Sequence, residues 1–235
     1  MNTARRDIVL VHGAGGGGWQ WRDWRPVFEG QGLTCHSPDL QPVEDGLEAT
    51  KFSDYVHQIT DLVARIEPPP VIVGASIGGI IALKVAEEGH CAALVLVNSV
   101  PPAATDGWNP PKRDFPPVIS WSTRATLDET RRSMLDASDE TVAWAHARWR
   151  DESGRAMRAV FHGVPATTPR LPTLIVSGGQ DTTVKPAVSQ SLGKRLHADV
   201  MTFAGVSHVG ALLGRRAPFL AGSTLAWLRH GGIIV

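Results

Sequence analysis

The chain has 235 residues, enough for one sizeable hydrophobic core, and 43% hydrophobic against 20% charged residues argues against disorder. Twenty-three Lys and Arg balance 23 Asp and Glu, so the composition gives no reason to expect a nucleic-acid partner. The N-terminal segment has an apolar run of only four residues, 8–11, which is too short for a signal peptide or a membrane span. We therefore expect a cytoplasmic protein that has no membrane partner.

Short apolar runs rich in β-branched residues alternate with longer helical patterns. The runs predict strands covered on both faces, at residues 8–12, 33–36, 71–74, 93–97, 173–177 and 199–203. Helical patterns occur at residues 21–31, 53–66, 77–88, 186–196 and 216–228. This alternation predicts an α/β fold with a doubly wound, mostly parallel sheet of about six strands flanked by helices. Cys35 and Cys91 lie in or beside these strands and are interpreted as buried thiols.

Residues 101–172 interrupt the alternation. The segment begins with a proline-rich stretch and contains no convincing strand, only helical patterns around residues 125–135, 140–150 and 154–161. We predict a single domain in which residues 1–100 and 173–235 form the core. The intervening residues are then a helical cap, or lid, over one edge of the sheet.

The segment DIVLVHGAGGGGWQW, residues 7–21, places five glycines in six positions directly after the first predicted strand. Gly13, Gly15 and Gly18 satisfy the dinucleotide-binding pattern G-x-G-x-x-G, and Asp39 follows where an acid that binds ribose would lie. The same glycines would also suit a loop whose backbone N–H groups bind an oxyanion. This segment alone leaves both interpretations open, and Asp39 is equally typical of a turn.

The segment VIVGASIGGIIAL, residues 71–83, favours the oxyanion. Gly74, Ser76 and Gly78 form G-x-S-x-G between a predicted strand and an apolar helix, the context of a serine nucleophile on a sharp turn. A serine that only caps the helix is the competing interpretation. The backbone N–H of Ile77, after the serine, and that of Ala14, in the glycine loop, are then the predicted oxyanion donors.

A serine nucleophile requires a base and an acid that orients the base. In this fold they should follow the serine in the order Asp and His, in loops after later strands. Asp181 follows the predicted strand in TLIVSGGQD, and His208 follows the next one in TFAGVSH. Asp106, in the loop after residues 93–97, is a competing acid that we rank below Asp181.

These motifs, in this order and spacing, resemble the α/β-hydrolase superfamily over essentially the whole chain. The stretch VHGAGGGGWQW is most similar to the small branch that contains plant methylesterases and hydroxynitrile lyases. The resemblance implies that the residue after HG, Ala14, supplies an oxyanion N–H, and that the sheet lacks two leading strands of the full fold. The residue before the nucleophile is Ala75, whereas the family usually has histidine there. Val209 replaces the lysine that the lyases carry beside their histidine, which favours ester hydrolysis.

The sequence therefore predicts a carboxylesterase-like serine hydrolase that cleaves small esters through an acyl-enzyme, with no metal or cofactor. The same triad would also suit thioester, lactone or C–C bond cleavage, cyclisation, or a non-catalytic ligand-binding protein. A homodimer is left open. The predicted substrate pocket comprises Gly15, Trp19, Trp121, Trp144 and Val209. Basic residues that would meet an anionic substrate, or simply form a solvated face, are Lys112, Arg113, Arg124, Arg131 and Arg132.

Overall fold

The structure, a computed structural model, describes residues 5–110 and 113–235. Lys112 is therefore outside the described residues. Eight strands lie in the described part: β1 (Ile8–Val11), β2 (Cys35–His36), β3 (Val71–Ala75), β4 (Ala93–Val97), β5 (Val118–Ile119), β6 (Glu152–Ser153), β7 (Thr173–Gly178) and β8 (Asp199–Phe203). Six of them form a parallel sheet in the order β2-β1-β3-β4-β7-β8, which confirms the predicted fold class.

Helices connect the strands. They are α1 (Arg25–Glu29), α2 (Phe52–Val63), α3 (Ile77–Ala86), α4 (Trp121–Arg124), α5 (Leu127–Ser133), α6 (Asp139–His146), α7 (Gly154–Gly163), α8 (Pro186–Leu196), α9 (Gly210–Leu213) and α10 (Ala217–His230). A 3₁₀ turn, Gly18–Trp21, precedes α1. The helix expected at residues 21–31 is thus shorter than predicted and starts later.

The expectation of no strand within residues 101–172 is wrong at one point. Strands β5 and β6 pair antiparallel through two residues each. Strands this short carry no detectable alternation of polar and apolar residues, so the sequence pattern gives no sign of them. They lie on either side of α4, α5 and α6 in the chain.

The sheet is covered on both faces, which explains the continuous apolar runs. Ile8 and Leu10 of β1 pack into one layer with Trp21, Trp24 and Phe28. The alternate β1 residues pack into the other layer with α2 and α3. The indole N–H of Trp24 donates to the Ala211 carbonyl at 2.9 Å, so its burial leaves no unpaired donor.

Both cysteines carry free thiols, Cys91 buried and Cys35 partly buried. Burial raises the pKa of each thiol to about 12, so neither is a reactive thiolate at neutral pH. Within residues 5–110 and 113–235, no helix combines the length and apolar character needed to cross a membrane.

Candidate active site

The turn between β3 and α3 holds Ser76 in a strained conformation, with φ of 53° and ψ of −121°. Two glycines make this turn sterically possible. A Cβ on Gly74 would collide with the Gly78 carbonyl, and a Cβ on Gly78 would collide with the carbonyls of Val11 and His12. The spacing G-x-S-x-G is therefore required by close backbone packing, and it brings the serine to the carboxyl edge of the sheet.

Three side chains from separate loops form a continuous hydrogen-bonded chain at this edge. Nε2 of His208 lies 3.1 Å from Oγ of Ser76, and Nδ1 lies 2.7 Å from Oδ2 of Asp181. The Asp181 carboxylate accepts a hydrogen bond from Nδ1 of His208, so Nδ1 carries the ring proton. Nε2 is then free to accept the serine proton. Asp181 Oδ1 also accepts the backbone N–H groups of Thr183 and Val184, at 2.8 and 2.9 Å.

The loop after β7 therefore supplies the acid that meets His208. The Asp181 side chain is fully enclosed, whereas that of His208 keeps 12% of its surface accessible. Asp106, the competing candidate, is exposed in a turn and is not a hydrogen-bond partner of the histidine. The three residues expected to act together are thus adjacent.

Ala14 and Ile77 border the same cavity as Ser76, as an oxyanion site requires. The Gly13 carbonyl accepts from His12 Nδ1 at 2.8 Å and from the Gly16 N–H at 3.1 Å. Because C=O and N–H point in opposite directions across a trans peptide, this turns the Ala14 N–H away from those donors. Within the described ranges neither the Ala14 nor the Ile77 N–H has an acceptor. Ile77 is the first residue of α3, where helix N–H groups are unpaired.

His12, which is not among the predicted site residues, supports this loop. Its Nε2 accepts the Leu40 N–H at 2.9 Å, while its Nδ1 donates to the Gly13 carbonyl. Burial lowers the pKa of His12 to about 4, so the ring is neutral at pH 7. A histidine directly between an apolar strand and a glycine turn was the available signal.

Asn98 was also missed, and it links the two loops that carry the acid and the base. It follows β4 directly with φ of 44°, a left-handed conformation that asparagine tolerates. Nδ2 donates to the carbonyls of Ser207 and His208, at 3.1 and 2.8 Å, and Oδ1 accepts the Gly178 N–H at 2.7 Å. The signal was a polar residue directly after the apolar run ALVLV.

Residues of the predicted cap hold the glycine loop through Gly15. The buried Glu152 carboxylate accepts the Gly15 N–H at 3.1 Å and the Tyr55 hydroxyl at 2.7 Å. The Arg150 N–H donates to the Gly15 carbonyl at 2.8 Å. Burial, with the adjacent carboxylate, raises the pKa of Tyr55 well above its usual range, so the phenol stays a donor. A Cβ on Gly15 would overlap Trp121.

A cavity of about 400 Å³ opens in front of Ser76. Of the predicted pocket residues, Trp121 and Val209 line it, whereas Gly15, Trp19 and Trp144 do not. Trp19 instead packs edge-on against Trp144, with ring centroids 5.5 Å apart. The guanidinium groups of Arg22 and Arg148 lie 4.0 and 4.2 Å from the Trp144 ring.

The lining also includes Gln20, from the 3₁₀ turn, and apolar or aromatic side chains from the segment after β4: Trp108, Phe115, Ala125, Trp149, Met157 and Phe161. Arg113 also lines the cavity. Arg131 is paired with Asp139 at 2.8 Å, and Arg124 and Arg132 do not line the cavity. The aromatic wall could not be separated in the sequence from ordinary packing.

The model of the alpha/beta hydrolase family matches residues 8–221. The chain belongs to this family. That confirms the family proposed from the sequence motifs, and the match includes every residue of the hydrogen-bonded chain described above.

Individual relatives of this α/β hydrolase carry different names. A norfluorocurarine synthase from Strychnos sp. is 30% identical over 128 residues, which is 51% of this chain and 47% of that protein, so the match spans about half of the relative's length. A pyrethroid hydrolase structure from Sphingobium faniae matches 94% of this chain and 96% of its own, with 21% identity and a TM-score of 0.73. A methylesterase structure from Arabidopsis matches 94% and 98%, with 17% identity and a TM-score of 0.75.

The glycine run of this α/β hydrolase packs against residues 37–39 of the same chain. Asp39 accepts the Gly18 N–H at 2.7 Å, so the acid considered for ribose binding anchors the glycine loop instead. A Cβ on Gly18 would collide with the Ser37 carbonyl. The described residues contain no group of three or more His, Cys, Asp or Glu side chains arranged to hold a metal ion.

Proposed function

We propose that this α/β hydrolase cleaves carboxylic esters through an acyl-enzyme formed on Ser76. The observation that carries the proposal is the hydrogen-bonded chain from Ser76 Oγ through His208 to the enclosed Asp181 carboxylate. A neutral alcohol is a weak nucleophile, and a neutral imidazole held by a carboxylate is the base that makes it reactive.

Acylation follows from this arrangement. Ser76 Oγ attacks the ester carbonyl carbon as its proton passes to Nε2 of His208, and the carbonyl π electrons move onto oxygen. The Ala14 and Ile77 N–H groups donate to that oxyanion, and each such donor typically contributes a factor of about 10²–10³ in rate. The tetrahedral intermediate then expels the alkoxide, which takes the proton from Nε2 and leaves as alcohol.

Deacylation repeats the same steps with water. Nε2 of His208 accepts a water proton while the water oxygen attacks the acyl carbon. Collapse of the second tetrahedral intermediate returns the proton to Ser76 Oγ and releases the carboxylic acid. Asp181 stays ionised throughout and stabilises the imidazolium that forms in each half-reaction.

The cavity supports an apolar or aromatic group in the substrate. Its volume of about 400 Å³ is in the range of small-ligand sites, and most of its lining is apolar. The names of the structural relatives, a methylesterase and a pyrethroid hydrolase, agree with ester cleavage. We further propose that residues 101–172 act as the cap of this site, since they contribute Trp121, Phe115 and Phe161 to its wall.

Hydrolysis of p-nitrophenyl acetate and butyrate by the purified protein tests the proposal. We expect turnover with a burst of p-nitrophenol, and a loss of kcat of at least about 10⁴ in Ser76→Ala. Ser223→Ala, a serine on α10 remote from the cavity, is the matched control and should retain full activity. Absence of turnover and burst, or activity that survives Ser76→Ala, would contradict the proposal.

A further inference from the structure

The side-chain amide of Gln20 lies in the cavity wall and takes no part in the mechanism above. Gln20 belongs to the 3₁₀ turn after the glycine run and is 2% exposed. Its Oε1 accepts the Gly13 N–H at 3.0 Å. An amide NH₂ cannot accept that bond, so the contact fixes the orientation of the amide, with Nε2 on the far side.

The Nε2 group of Gln20 has no hydrogen-bond acceptor in the described part of the chain, yet it is not one of the fully enclosed unpaired atoms. Gln20 lines the cavity that contains Ser76, and we take this cavity as the space open to Nε2. A buried donor without an acceptor is unfavourable, and a bound ligand that supplies one removes this cost.

Several other neutral donors in the wall already have protein acceptors. The Thr130 hydroxyl donates to the Thr126 carbonyl at 3.1 Å, and the Ser133 hydroxyl donates to the Thr130 carbonyl at 2.7 Å. Both Nδ2 bonds of Asn98 go to backbone carbonyls. Gln20 differs from these groups because its acceptor end is used by the protein and its donor end is not.

We propose that Gln20 Nε2 recognises a second oxygen in the substrate, so that preferred esters carry a neutral carbonyl or ether oxygen besides the scissile carbonyl. The inference rests on the proposed function, because it assumes that the scissile carbonyl lies at Ser76. A Cβ on Gly13 would lie 3.2 Å from Ser76 Cβ and 3.7 Å from Gln20 Oε1, so one small group separates the amide from the nucleophile. The second oxygen is therefore within a few bonds of the scissile carbonyl.

The chemistry of the donor selects the class of acceptor. A neutral amide in a mostly apolar wall pairs well with a neutral oxygen, whereas a buried carboxylate would require a cationic partner. The specificity expected from Gln20 is thus for keto, alkoxy or diester substrates over their hydrocarbon isosteres.

Binding to Ser76→Ala, measured by titration calorimetry, tests the inference without turnover. The probes are methyl hexanoate and its analogues with oxygen in place of carbon 3, 4 or 5. A second pair, butyl butanoate and 2-methoxyethyl butanoate, covers the alcohol side. We expect at least one oxygen analogue to bind about 3- to 10-fold more tightly than its isostere, the range of a neutral hydrogen bond. This preference should vanish in Ser76→Ala/Gln20→Met.

Gln20→Glu in the same background separates recognition from support of the loop. The carboxylate can still accept the Gly13 N–H, but it has no donor for the ligand. We expect it to lose the preference as Gln20→Met does, with both variants shown to be folded by thermal unfolding. The inference would be overturned by any of three results. These are a ratio of dissociation constants within twofold for every pair of probes, a preference retained in either variant, and the absence of saturable binding.

Ester turnover by the wild-type protein keeps the two proposals distinguishable. A binding preference that depends on Gln20, without any ester turnover, contradicts the esterase and leaves the recognition of a second oxygen in place. Turnover that depends on Ser76, without the preference, contradicts the role of Gln20 alone.

Discussion

The two sides of the cavity are built differently. On the sheet side, Asp181 and Asn98 are almost fully buried. Backbone groups bind Asp181 Oδ1 and the whole Asn98 amide, and His208 binds Asp181 Oδ2. On the other side, residues from 101–172 present tryptophan and phenylalanine rings, of which Trp121 lies on α4, Phe161 lies on α7 and the others lie in loops. Rigid polar contacts suit groups that transfer protons, whereas apolar contacts suit the recognition of a substrate body.

Because of this contrast, we expect substitutions on the two sides of the cavity to change different kinetic constants. Changes on the sheet side should lower kcat, because they disturb groups that act only in the transition state. Changes in the aromatic wall should raise KM, because they remove contacts that substrate and transition state share. Gly15 connects the two sides through its bonds to Arg150 and Glu152.

The largest effect is expected for the acid. Asp181→Asn should lower kcat by about 10⁴, since an amide favours the wrong imidazole tautomer and cannot stabilise the imidazolium. Asp106→Asn is the matched control and should leave kcat unchanged, because that side chain is exposed and is not bonded to His208. Steady-state kinetics on p-nitrophenyl butyrate measure both. A large loss in Asp106→Asn would reverse the ranking of the two acids.

His12 predicts how stability depends on pH. Its folded pKa of about 4 lies below the ordinary value of 6.5, so the unfolded chain binds the extra proton first as pH falls. The contribution of His12 to the free energy of unfolding is fully present above pH 6.5. It is lost as the pH decreases towards 4, by about 3 kcal/mol in total. Urea unfolding at several pH values measures it. His12→Asn should flatten this part of the profile, and an unchanged slope would contradict the assignment.

Asn98→Asp should lower kcat by about 10- to 100-fold with little change in KM. The carboxylate can still accept the Gly178 N–H, but its second oxygen would face two backbone carbonyls and displace the loop that carries His208. Misplacement of a catalytic group by about 1 Å typically costs this much. A parallel rise in KM would instead indicate that the substitution also disturbs the aromatic wall of the cavity.

The smallest effect is expected in the aromatic wall. Trp121→Ala should raise KM about tenfold and leave kcat nearly unchanged, since it removes apolar contact area from the cavity. Trp144→Ala is the matched control, because that ring packs between Arg22 and Arg148 outside the cavity. Equal effects of the two substitutions would show that Trp121 acts only through packing.

The amino-acid sequence by itself determined the sheet and the order of the groups on its carboxyl edge. Buried parallel strands leave continuous apolar runs, and the strained turn at Ser76 demands glycine two residues to either side. Both requirements are local, so both can be read from neighbouring residues. Chain order then indicated Asp181 and His208, whose adjacency the structure displays.

Only the tertiary structure decided which side chains surround the cavity and which support the loops. Asn98 lies 109 and 110 positions from its acceptors Ser207 and His208, and Glu152 lies 137 positions from Gly15. Contacts of this kind leave no local pattern, because they depend on how distant segments pack and not on the spacing along one strand or helix. For the same reason the pocket prediction was wrong for Trp19, beside the glycine loop, and for Trp144, in the predicted cap, because packing directs their rings elsewhere.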